Sequence, residues 1–129
     1  MDPQAKDGPR RAAERRGQDA ETRVEAALTA RGWTVLERRL RGARGSGAGE
    51  LDMVAEREGL LAFIEVKARP SLAEAAHSVS RSQQARLMAA GEAWLAAHPG
   101  HGAAGVRFDV ILVAPEGMRR IEDAFRAWG

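Results

Sequence analysis

The sequence predicts an α/β domain, a mixed β-sheet flanked by helices in the order α-β-β-β-α-β. Three observations predict it. Residues 10–30 and 81–97 carry apolar side chains at helical spacing. Between and after them lie short runs with the two-residue alternation, or the unbroken apolar character, of strands. The length of 129 residues and a hydrophobic share of 44% suit one domain with its own core.

Residues 1–9, with Pro3, Gly8 and Pro9 and no periodicity, read as a disordered tail ahead of a single domain spanning 10–129. In the first helix Ala20, Val24, Ala27 and Leu28 form the apolar stripe, and Gly32 ends it. Trp33–Leu36 reads as a strand and Arg38–Gly49 as a flexible glycine-rich loop with four arginines. Glu50–Glu56 and Leu60–Ala68 read as two strands joined by a Glu58-Gly59 turn. Residues 71–80 read as an irregular connection. In the second helix Leu87, Gly91, Trp94 and Leu95 share a face. Val106–Ala114 follows as a buried strand, then a further strand at Met118–Ile121 and a short C-terminal helix.

Composition narrows the chemistry. Without cysteine there are no disulfides, thiolate metal sites or cysteine nucleophiles. No apolar run approaches the roughly 18 residues a membrane span needs. The polar N-terminus lacks the apolar core of a secretory signal. The expectation is a cytoplasmic protein. Net charge is only +2, yet residues 1–49 hold 11 basic against 7 acidic side chains, and residues 50–129 hold 9 against 11. Lys6 and Lys67 are the only lysines. The arginines suit bidentate phosphate contacts.

The hairpin carries the chemistry. Strand alternation puts Glu50, Asp52 and Val54 on one face, and Leu61, Phe63, Glu65 and Lys67 on one face of the next strand. A two-residue Glu58-Gly59 turn pairs Arg57 with Leu60, and so sets Asp52 opposite Glu65 and Glu50 opposite Lys67. A three-residue loop would slip the register and put Asp52 opposite Ile64. Opposed residues have Cβ atoms about 4.5–5.5 Å apart, where like charges destabilise. Such a pair makes sense around a hard divalent cation, which prefers carboxylate oxygens and can polarise a phosphoryl oxygen and acidify water. Lys67 would add positive charge to the reacting phosphate. The plainer alternative is a solvent-facing hairpin end with a Glu50–Lys67 ion pair.

Asp52 followed by Glu65-Val66-Lys67 resembles the PD-(D/E)XK signature of restriction-endonuclease-like nucleases. Gly17-Gln18-Asp19-Ala20-Glu21, Gly49-Glu50-Leu51-Asp52, Phe63–Arg69 and Arg107-Phe108-Asp109-Val110 together resemble the motifs of the YraN family, an uncharacterised bacterial family similar to archaeal Holliday-junction resolvases. The resemblance covers about residues 16–126. It implies a restriction-endonuclease-like core and a Mg²⁺- or Mn²⁺-dependent endonuclease hydrolysing DNA phosphodiesters, branched or junction DNA among them. It also implies Asp52, Glu65 and the Val66 carbonyl as metal ligands, Lys67 as the catalytic charge, Glu21 as a supporting helix acid and Glu50 as a supporting residue. The two-fold symmetry of a junction makes a homodimer attractive. Arg39 stands where the family usually has Asn, and Gln83 where it usually has Lys. The alternative reading is a nucleic-acid-binding module that keeps the fold without turnover; a third is a subunit whose basic loop docks an acidic protein.

Arg38, Arg39, Arg41 and Arg44 are candidate phosphate contacts, and Gln83, at a helix N-terminus, could orient water or bind phosphate. A solvated basic loop is the alternative for the arginines. Asp109, inside an apolar strand, reads as the partner of Arg107. His77, His98 and His101 fall at no ligand spacing, and His98 and His101 read as exposed and incidental. Trp33, Trp94 and Trp128 read as core or core-edge.

Overall fold

The computed structural model describes residues 8–41, 50–76 and 80–125. α1 (Gly8–Ala30) leads into β1 (Thr34–Arg41), β2 (Glu50–Arg57) and β3 (Leu60–Ala68); α2 (Leu72–Ala76) and α3 (Arg81–Ala97) follow, then β4 (Gly105–Ala114) and β5 (Gly117–Phe125). One sheet has the order β1-β2-β3-β4-β5, with β3 and β4 parallel and the other neighbours antiparallel. A parallel pair needs a long crossover, and α2 and α3 supply it. The predicted mixed sheet flanked by helices is the observed fold, consistent with a restriction-endonuclease-like core.

Each face of the sheet is buried by one long helix. Ala20, Val24 and Leu28 of α1 pack with Trp33, Met53, Ala55, Ala62, Ile64, Ile111 and Val113. On the opposite face Leu87, Ala90 and Trp94 of α3 pack with Leu51, Val54, Leu61, Phe63 and Phe108. Burial on both sides explains why β3 and β4 read as continuous apolar runs. Gly91 lets α3 approach closely: a Cβ there would lie 2.9 Å from Phe108 Cζ and 3.1 Å from Phe63 Cδ2.

The β2–β3 hairpin has the expected register, from Arg57↔Leu60 to Met53↔Ile64. Glu58 (φ 51°) and Gly59 (φ 79°) both take left-handed conformations, as a type I′ turn requires.

Several boundaries differ from the sequence expectation. α1 begins at Gly8, so Gly8 and Pro9 belong to the helix, not the tail. β1 runs on to Arg41, because Arg38 and Leu40 pair with Met53 and Leu51 of β2 instead of opening a loop. α2 occupies the connection expected to be irregular. β5 continues to Phe125, held against β4 by pairing that includes Phe108↔Phe125, so the C-terminal helix expected after Ile121 does not begin before that residue. The rest of that helix, Trp128, Arg44 and His77 lie outside the described residues. Among the described residues, no helix is long and apolar enough to cross a membrane.

Candidate functional site

The regular pairing of β2 with β3 stops at Met53↔Ile64, one residue short of Asp52. Leu51 packs with Val54 on the α3 side although they are three residues apart, while Met53 packs toward α1. The strict alternation therefore breaks at Asp52. Its carboxylate does not stand in the ladder opposite Glu65 as alternation alone would have it. Instead Asp52 Oδ2 accepts a hydrogen bond of 2.7 Å from the Val66 N–H, across the gap where the strands part.

The parting opens a cavity of about 500 Å³ whose lining includes Gly17 and Glu21 of α1, Asp52 of β2, Glu65 and Lys67 of β3, and Arg69. Glu21 and Glu65 are each 7% exposed, so three acids meet where solvent screens them little. Lys67 Nζ lies 3.1 Å from Glu65 Oε1, with its side chain 11% exposed. Gln83 Nε2, in the first turn of α3, donates to the same Glu65 oxygen at 3.4 Å. Ser80 caps that helix by accepting from the Gln83 N–H at 3.1 Å, which fixes where the Gln83 side chain starts.

The electrostatics are those of a site short of positive charge. The Asp52 carboxyl is pushed up from its ordinary 3.8 to about 8, first by burial, then by the Glu65 charge, with Glu21 and a hydrogen bond to Glu65 adding to it and the Val66 N–H opposing it. At neutral pH the fold thus keeps a proton on the Asp52–Glu65 pair.

The donor set fits a hard divalent cation: carboxylates of like sign share a proton in a cavity open to solvent, and an ion could take that proton's place. As the side chains stand, no three His, Asp or Glu groups among the described residues are positioned to hold an ion together. Asp52 is turned to Val66, and Glu21 is engaged elsewhere: Arg38 Nη2 lies 3.5 Å from Glu21 Oε2, and its Nη1 3.1 Å from Glu25 Oε2.

The structure thus brings together Glu21, Asp52, Glu65, Val66, Lys67 and Gln83. Gln83 touches a site carboxylate, and Arg38 is tied to two acids of α1; neither role was foreseen. Glu25, one helical turn from Glu21, was missed, though i,i+4 spacing puts both acids on one face. Glu50 pairs with Arg41 in the β1–β2 ladder, and Lys67 bridges Glu65. The side chains of Arg39, Arg41 and Glu50 lie outside the description.

The histidines correct the sequence expectation. His98 and His101 are half-buried over Trp94, His98 stacked at 4.1 Å between ring centroids and His101 at 5.4 Å. His98 Nε2 lies 3.4 Å from Glu37 Oε1, which also accepts from Trp94 Nε1 at 3.1 Å. His101 Nδ1 lies 3.1 Å from Glu56 Oε1. They close the C-terminal end of α3 over the core. A second cavity, about 220 Å³, lies between α1 and the β4–β5 edge, lined by Val24, Leu28, Ile111 and Met118 together with Arg31 and Arg120; no acid is among its lining residues.

The model of the uncharacterised protein family UPF0102 matches residues 20–113. A UPF0102 protein of Granulibacter bethesdensis is 53% identical over 115 residues, 88% of this chain and 70% of that protein. Relatives of the same description from Bradyrhizobium (strain ORS 278) and Rhodopseudomonas palustris (strain BisA53) are each 48% identical over 109 residues, 84% of this chain and 74% and 81% of theirs.

Proposed function

The chain belongs to the UPF0102 family, and from the geometry of its site we propose that it is a divalent-metal-dependent endonuclease that hydrolyses phosphodiester bonds in DNA. The observation that carries this reading is the meeting of Asp52 and Glu65, with Lys67 3.1 Å from Glu65, in a cavity that also takes Glu21. A fold that confronts two buried carboxylates loses stability by doing so, which makes sense where a cation is to be held. Branched or junction DNA is the finer substrate assignment, carried by the resemblance to junction resolvases, and a homodimer would match the symmetry of a junction.

Asp52, Glu65 and the Val66 carbonyl would hold a Mg²⁺ or Mn²⁺ ion, with Glu21 in support. Such an ion, when bound, supplies Lewis acidity to the phosphoryl oxygen and acidifies the attacking water. Lys67, fixed by Glu65, presents its ammonium to charge developing at the phosphate, where a preorganised cation in a poorly solvated site is worth most. Gln83 holds Glu65 from the α3 side.

The test is cleavage of labelled branched and linear DNA with Mg²⁺ or Mn²⁺, wild type beside Glu65→Ala and Lys67→Ala. The expected loss is about 10²–10³-fold or more in each variant, the scale of removing one transition-state contact. A second reading, a nucleic-acid-binding module without turnover, is favoured by the absence, among the described residues, of three groups poised around one ion. Intact DNA under all conditions, with salt-sensitive binding equal in the three proteins, would select it.

A further inference from the structure

Resting on the reading above, we propose that Arg38 is a positioning residue: it holds Glu21 back from the Asp52–Glu65 pair, and a phosphate of the bound nucleic acid releases Glu21 by taking the guanidinium. Metal binding and nucleic-acid binding would then be coupled through one arginine.

Three observations converge on it. Arg38 reaches from the edge strand β1 to two acids one turn apart on α1, Glu21 at 3.5 Å and Glu25 at 3.1 Å. The Arg38 side chain is 34% exposed while that of Glu21 is 10% exposed, so a ligand in solvent can reach the guanidinium but hardly the acid. Glu21 lines the same cavity as Asp52 and Glu65. Yet among the described residues no three acids stand ready for one ion.

The chemistry gives the direction. A guanidinium matches the paired oxygens of a phosphate as well as those of a carboxylate. Once a phosphate occupies Arg38, Glu21 loses that ion pair in a poorly solvated place, and a cation in the cavity can restore the lost positive charge. By linkage, each ligand must raise affinity for the other by the same factor. Glu25 is the more exposed acid, at 37%.

The experiment is calorimetric titration of the full chain with Mn²⁺, with and without a short phosphorothioate duplex. Arg38→Gln is expected to bind Mn²⁺ about fivefold or more tighter than wild type, the lower end of ordinary coupling between linked sites. That gain should vanish in the Arg38→Gln, Glu21→Gln double variant. The duplex should tighten Mn²⁺ binding to wild type by a similar factor and leave Arg38→Gln unchanged. Should Arg38→Gln fail to fold, Arg38→Lys, which keeps the charge and loses the fork, is expected to show a smaller gain and decides by the same criterion. Equal or weaker Mn²⁺ binding on loss of the guanidinium overturns the coupling and leaves the metal site standing. So does a gain that persists without Glu21, which would be simple charge removal. No Mn²⁺ binding by any of the proteins overturns both the coupling and the metal site.

Discussion

Asp109 and Asp52 sit on β4 and β2, the two neighbours of β3, and the fold treats them in opposite ways. The Asp109 side chain is fully buried, with Arg107 Nε 3.0 Å from Oδ1 and Arg120 Nε and Nη2 3.0 and 2.5 Å from Oδ2. Those guanidiniums lie 5.7 and 4.8 Å from the centre of the Trp33 ring, with Arg57 at 5.1 Å, so cation–π contacts hold the bases in turn. Asp52 meets Glu65 and Glu21 instead, and its charge is suppressed. On β4 the fold compensates a buried acid with its own bases; at Asp52 the acids outnumber the cations. The difference separates a structural acid from a functional one better than burial alone does.

The largest expected effect tests the compensated acid. Asp109→Asn leaves two guanidiniums, 19% and 15% exposed, without their shared anion. It should lower unfolding free energy by about 3 kcal/mol, the low end for breaking a buried ion pair, measured by urea denaturation. Arg120→Gln removes the two hydrogen bonds that Arg120 gives Oδ2 and a contact over Trp33, and should cost about 2 kcal/mol. An unchanged midpoint in either variant would sink the contrast.

The uncompensated acid should respond with the opposite sign. A carboxyl raised in the fold favours its protonated form there, so metal-free stability is complete below the ordinary value of 3.8 and declines as pH rises toward about 8. Asp52→Asn should remove that decline and stabilise the metal-free chain at pH 8 by at least about 1 kcal/mol, one pKa unit being worth 1.36 kcal/mol. Destabilisation by Asp52→Asn at pH 8 would show that Asp52 is a structural acid like Asp109. Excess Mn²⁺ should stabilise wild type and not this variant.

Much of this contrast was legible in the sequence. The Glu58-Gly59 turn set the hairpin register, and the apolar stripes of α1 and α3 marked the helices that cover the sheet. An acid among apolar residues two positions from Arg107 announced the Asp109 pair. Arg120 was not foreseen, because its part depends on β5 pairing with β4, a contact between separate strands that periodicity does not encode. The turn of Asp52 toward Val66 was equally hidden: alternation assumes a regular ladder, and β2 leaves β3 one residue earlier. Arg38 and Gln83 were read by residue type as phosphate contacts, but their partners Glu21 and Glu65 are 17 and 18 residues away in sequence, a choice made by packing.

The smallest effect concerns an acid between these extremes. Glu56, at the hairpin end of β2, accepts from the Gly102 N–H at 2.9 Å and faces His101 at 3.1 Å. The Gly102 bond, with the His101 contact, lowers its carboxyl from 4.5. A lowered carboxyl contributes stability above its unfolded value and loses it as pH falls through the folded one. Its side chain is 23% exposed and solvent screens it, so Glu56→Gln should shift the urea midpoint only slightly near neutral pH and not at all well below pH 4.5. A loss as large as that of Asp109→Asn would mean that Glu56 belongs with the compensated buried acids, and that one base and one N–H suffice to make an acid structural in this fold.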